Sequence, residues 1–98
     1  MESILSKINQ EIGSCFDTLC GAIDANTALT PKVRELIRLA CVTMERSDFG
    51  IRLHTFEAKK AGAAKEEIIA AVINCLPVSG IEKVSSALAA VMRTLEDI

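Results

Sequence analysis

A single histidine, His54, stands in the segment S47-D-F-G-I-R-L-H54-T-F-E-A-K-K-A-G62. An imidazole is the side chain best suited to move protons near neutral pH, so proton transfer is the first chemistry to consider. Ser47 and Gly50 precede it by seven and four residues, which places all three on one face of a helix. A thiol-based enzyme would need cysteines at such positions, and the four cysteines lie elsewhere, at Cys15, Cys20, Cys41 and Cys75. None form a C-x-x-C pair. Cys15 and Cys20 point about 140° apart around a helix axis and cannot bridge within it. Four scattered thiols and one histidine give no metal-ligand spacing, so no metal site is expected.

The elements that must position His54 are helices. Half of the residues are hydrophobic but only three are aromatic, all phenylalanine. A core of Ile, Leu, Val and Ala is the mix expected of packed helices. Leu5, Ile8, Ile12, Cys15, Leu19 and Ala22 form a seam along a first helix from Glu2 to about Ile23, and residues 24–30 follow as a loop. This N-terminal segment, residues 1–24, is expected to act as a packing or oligomerisation arm. Thr30-Pro31 then supplies an N-cap and a first-turn proline for a second helix ending near Arg46. Its main apolar face is Val33, Leu36, Ile37, Ala40, Cys41 and Met44; Glu35 lies on the far side with Leu39 and Val42.

Ser47-Asp48 can cap a third helix, and Gly62 suits its left-handed end. That helix carries two stripes, Phe49, Leu53 and Phe56 on one side and Ile51, His54, Ala58 and Ala61 on the other. A fourth helix begins near Lys65 and stops at Pro77. Ser79 and Glu82 form a capping box for a fifth, with the seam Ile81, Val84, Leu88, Val91 and Leu95. The expectation is one all-α domain of five helices spanning residues 1–98. Apolar surface in excess of what so short a chain can bury points to self-association.

The 11 basic and 13 acidic residues are spread evenly, for a net charge of −2. No basic run or aromatic platform indicates nucleic acid. No stretch approaches the ~20 apolar residues of a membrane span, and the start lacks a secretory signal pattern. A soluble cytoplasmic protein with reduced cysteines is expected.

The middle of the chain resembles the carboxymuconolactone decarboxylase and alkyl hydroperoxidase D-like superfamily. The matching text is T30-P-K-V-R-E35-L-I-R-L-A, then L53-H54, then K60-A-G-A-A-K-E-E-I-I-A. In the redox branch of that superfamily a glutamate is followed by a C-x-x-C pair and a histidine. Here the glutamate falls on Glu35 and the histidine on His54, while the cysteine positions fall on Ser47 and Gly50. The chain therefore looks like the decarboxylase branch, which lacks the pair and keeps the histidine. The resemblance implies a compact helical domain and a homo-oligomer, a trimer or hexamer, with sites near subunit interfaces.

If the second and third helices pack antiparallel about Ser47, Glu35 and His54 come within about 8 Å along the axes, close enough to meet through a water. A carboxylate holding an imidazole fixes its tautomer and suits it to acid/base work. The leading expectation is cofactor-free decarboxylase-like chemistry on a small carboxylated or lactone metabolite, with His54 as acid/base and Glu35 as its orienter. Arg34, Arg38, Arg46 and Arg52 are the candidates to grip the substrate carboxylate. Two other readings stand beside it: a hydroperoxidase-type antioxidant using Cys41 or Cys75, and a non-catalytic oligomeric binding protein. Each residue also has a structural role open to it: packing for His54, an i,i+3 pair with Arg38 for Glu35, a helix cap for Ser47, and close helix approach for Gly50.

Overall fold

The computed structural model describes residues 4–98 and is all-α, with no strand among them. Seven helical segments follow one another: α1 (Ile4–Ile8), α2 (Gln10–Ala25), α3 (Pro31–Met44), α4 (Asp48–Lys60), α5 (Lys65–Ile73), α6 (Leu76–Ser79) and α7 (Ile81–Asp97). The expected first helix is broken in two, and its proposed start at Glu2 lies outside the described residues. Asn9 makes the break: its extended backbone and side-chain oxygen cap α2 by accepting from the Ile12 amide at 3.0 Å. Such a cap satisfies a helix-end amide that would otherwise lack a partner.

The caps around α3 and α4 follow the sequence closely. Thr30 Oγ1 accepts from the Val33 amide at 3.2 Å, and Pro31 opens α3. The chain leaves α3 through Arg46, whose φ of 55° is left-handed, with Arg46 N donating to Thr43 O and Ser47 N to Val42 O. Gly62 ends α4 in the same manner, with Gly62 N on Lys59 O and Ala63 N on Ala58 O. Both are left-handed C-terminal caps that return the chain sharply, which sets α3 and α4 antiparallel.

Towards the C-terminus the boundaries shift. The fourth predicted helix divides at Asn74–Cys75, and Pro77 opens the single turn α6 instead of stopping a longer helix. The Ser79–Glu82 capping box does not form. Gly80, with φ of 87°, begins α7 without a side-chain cap. Half of such a box occurs instead at α5, where Glu67 Oε1 accepts from the Ala64 amide at 2.9 Å and alanine offers no return bond.

The core joins α3, α4, α5 and α7 through Leu39, Ile51, Ala58, Ile68, Val72, Val84 and Val91. The predicted main face of α3 is split: Leu36 and Ala40 pack against the core while its other residues turn outward. Val33, Ile37, Cys41 and Met44 are exposed, while Glu35, Leu39 and Thr43 are buried. On α4 the stripe Phe49 and Phe56 is exposed, whereas Ile51 and Ala58 face inward. Periodicity locates apolar stripes but does not say which of two a neighbouring helix will cover. Small residues decide it here, because Gly50, Ala58, Ala87 and Ala90 allow the helices to approach closely.

Arg46 carries a side chain in a conformation that favours glycine, and its ion pair to Glu82, at 3.5 Å, is exposed and contributes little. Arg46→Gly should therefore raise stability by about 1 kcal/mol, seen as a higher urea midpoint with an unchanged slope.

Candidate functional site

Glu35 sits in the first half of α3, on the face buried against α4, and is only 7 % exposed. His54 lies opposite it on α4. Their contact is direct, with His54 Nδ1 2.7 Å from Glu35 Oε1, and no bridging water is needed. A carboxylate only accepts, so Nδ1 carries the hydrogen and the outer nitrogen, Nε2, is the one left for chemistry. Nε2 has no hydrogen-bond partner among the described residues, and the His54 side chain is 20 % exposed.

The direct contact depends on how closely α3 and α4 approach. Gly50 is buried, and a Cβ added there would lie 2.7 Å from Val42 Cγ1 and 2.9 Å from Ser47 Oγ. The first of the two positions that would hold cysteines, Ser47, is the N-cap of α4, its Oγ accepting from the Gly50 amide at 3.0 Å. The second is the point of helix-to-helix contact. Both positions therefore carry structural roles, and Ser47 Oγ is committed to the cap.

Two arginines hold the other oxygen of Glu35. Arg38 Nη1 donates to Oε2 at 3.3 Å, and Arg34 Nε lies 3.8 Å from it. Both guanidinium groups also reach back to Asp24 in the last turn of α2. Arg38 Nη2 donates to Asp24 Oδ1 at 2.8 Å, Arg34 Nη1 donates to the Asp24 carbonyl at 3.1 Å, and Arg34 Nε is 3.6 Å from Oδ1. The result is a chain, Asp24–Arg38–Glu35–His54, crossing three helices. Arg38, hydrogen-bonded to Asp24, holds that carboxyl below the ordinary carboxylate range, and Arg38 itself is raised by the same bond. Asp24 was not apparent from the sequence, where it reads as the start of a loop. The signal that could have found it is the arginine pair flanking Glu35, which has more positive charge than one carboxylate balances.

Of the four candidate arginines, only Arg34 and Arg38 adjoin Glu35. Arg46 lies at the α3–α4 turn, and Arg52 lines a groove of about 370 Å³ with Phe49, Leu53 and Phe56. The α4 side chains that line that groove lie about 100–160° around the helix from His54. A smaller one, about 240 Å³, opens onto Glu35 and is lined by Pro31, Arg34, Glu57, Lys60 and Ala61. Of the pair, Glu35 lines this smaller depression and His54 does not.

Neither alternative thiol joins the pair. Cys75 is buried on the α3–α5 side, its Sγ 3.7 Å from the Ala40 carbonyl, and burial pushes its thiol up and away from the reactive thiolate. Cys41 lies on the exposed stripe of α3, away from the face that carries Glu35. No group of three His, Cys, Asp or Glu among the described residues is placed to hold a metal ion. No helix among them is long and apolar enough to cross a membrane.

With the fold and the Glu35–His54 pair in place, comparison with family models is decisive on one point. The chain belongs to the carboxymuconolactone decarboxylase family, whose model matches residues 10–92. Comparison with curated proteins and with solved structures gives no match.

Two outcomes follow from this geometry. Gly50→Ala should destabilise the fold by about 1–3 kcal/mol despite alanine's higher helix propensity, because β-branched Val42 has little freedom to move aside. Val42→Ala should recover part of that loss in a double-mutant cycle; a Gly50→Ala protein as stable as the parent would disprove the close contact. Asp24 is depressed in the folded state, so its contribution is present above about pH 4 and is lost as pH falls through its folded value. Asp24→Asn should flatten the acid limb of stability against pH, measured by urea unfolding, and leave the limb near neutrality unchanged in shape.

Proposed function

We propose that this protein is a cofactor-free acid/base catalyst of the decarboxylase type, acting on a small carboxylated or lactone metabolite. One observation carries the reading: a buried carboxylate ion-paired to two arginines presents a histidine whose outer nitrogen has no hydrogen-bond partner among the described residues.

The steps are few. The substrate carboxylate is drawn into the depression beside Glu35 by Arg34 and Lys60. Scission of the C–C bond releases carbon dioxide and leaves its electron pair on the substrate as an anion conjugated with the lactone or acyl carbonyl. Protonated His54 delivers the Nε2 proton to that carbanion, and its positive charge stabilises the anion as it develops. Glu35 keeps the ring oriented throughout and balances the imidazolium. Water then restores the proton to Nε2. The hydrogen bond to Asp24 ties Arg38 back towards α2, and Arg38 meets Glu35 on Oε2, which leaves Oε1 to His54.

His54→Gln should preserve the fold, since glutamine is of similar size and can still donate to Glu35. It should lower turnover of a cognate lactone acid by about 10²-fold or more, the scale of general acid/base catalysis. Glu35→Gln should act in the same direction but less, with its arginines still held by Asp24. Steady-state rates with carboxymuconolactone tried first, together with thermal melting of both variants, decide the matter. Unchanged rates with lowered melting temperatures would make His54 a structural residue.

A further inference from the structure

The groove of about 370 Å³ between α4 and the end of α7 takes no part in the chemistry proposed for Glu35 and His54. Its wall is the stripe Phe49, Leu53 and Phe56, spaced four and three residues apart on α4, joined by Ile98. Small-molecule sites have volumes of about 300–1,000 Å³ and combine such an apolar wall with a few polar groups. Here the polar groups are Arg52 on α4 and, about one turn apart on α7, Thr94 and Asp97. Neither Arg52 nor Asp97 joins an ion pair or a side-chain hydrogen bond with another described residue. Thr94 Oγ1 donates to the Ala90 carbonyl at 2.8 Å, which leaves its lone pairs to accept.

We propose that this groove is a binding site, separate from Glu35 and His54, for a free α-amino acid with an aromatic side chain. Charge decides the class. A ligand with only a carboxylate gains Arg52 but meets Asp97, and one with only an amine gains Asp97 but meets Arg52. A zwitterion finds an opposite charge at both. Its carboxylate takes the planar fork of Arg52, its ammonium lies against Asp97 and Thr94 Oγ1, and its side chain packs on the α4 stripe. Two phenylalanines in that wall favour an aromatic ring, which they can meet edge to face. Phe49 is 77 % exposed, so a ring laid over it removes apolar surface from water. The adjoining hollow keeps the same balance, with Asp48 and Arg93 beside Arg52 and Asp97, so a large acidic or basic surface finds no net charge to select it.

The test reads binding rather than turnover, so it stands apart from the chemistry of His54. Amide chemical shifts of the ¹⁵N-labelled protein are followed as L-phenylalanine is added. Saturable shifts should map to α4 and the end of α7, with a Kd on the order of 1 mM or below for so small a ligand. Phenylpropionate, which lacks the ammonium, and phenethylamine, which lacks the carboxylate, should each bind about tenfold or more weakly. Arg52→Gln and Asp97→Asn lie at exposed positions, so both should melt as the parent does. Each should weaken L-phenylalanine by about tenfold or more, while Asp97→Asn leaves phenylpropionate no weaker. Absence of saturation by about 10 mM would overturn the proposal. So would equal binding of the two truncated ligands, shifts that map elsewhere, or affinity that survives both variants. If a second copy of the chain fills the groove instead, L-phenylalanine will not bind and Phe49→Ser will lower the sedimenting mass, which also overturns it.

Discussion

The contact of Gly50 with Val42 is the constraint on which the site depends. A side chain at residue 50 would hold α4 away from α3, and the 2.7 Å bond between His54 and Glu35 would lengthen or require a water. Ser47 fixes the first turn of the same helix, and Arg46 turns the chain into it through a left-handed backbone. Three neighbouring positions thus set the separation, the start and the direction of the helix that carries the histidine. Ser47 and Gly50, where the sequence resemblance places a thiol pair, serve in this chain as a cap and a packing contact. Chemistry and architecture compete for the same few residues at this helix start, and in this chain architecture occupies them.

The electrostatics of the pair follow from burial. A carboxylate taken out of water must be compensated by charge and hydrogen bonds, or its desolvation would exceed any gain. Glu35 meets this with three partners, one of them the histidine. The arginines in turn would be over-supplied with positive charge were Asp24 not present at the end of α2. The arrangement links a helix outside the core to His54 through two hydrogen-bonded side chains, Arg38 and Glu35. Anything that moves the end of α2 acts on Arg38 first and on His54 through it.

The same protomer turns its most regular apolar stripes outward. The inward faces of α3 and α4 are mixed, with Glu35, Thr43, His54 and Thr55 among the aliphatics, while the outward faces hold Ile37, Met44, Phe49 and Phe56. Such a division suits a small domain whose own core is built mainly from alanine, valine and isoleucine at close helix spacing. Several of the larger apolar side chains are left exposed.

Much of this protein was determined by local sequence. The all-α class, the Thr30-Pro31 start, the Ser47 cap, the Gly62 end and the family resemblance each rest on short-range patterns, where one residue type satisfies one backbone need. The pairing of Glu35 with His54 was legible too, because two antiparallel helices about a short turn leave few registers. What only the tertiary structure decided is which stripe faces the core, that the pair touches without water, and that Asp24 joins it. Those outcomes depend on the distance between helices, set by Gly50 against Val42, and on charge balance among residues far apart in the chain. Neither has a periodic signature, so neither could be read along a single helix. The break at Asn9 and the late start of α7 at Gly80 belong with them, since each depends on whether a segment finds a surface to pack against.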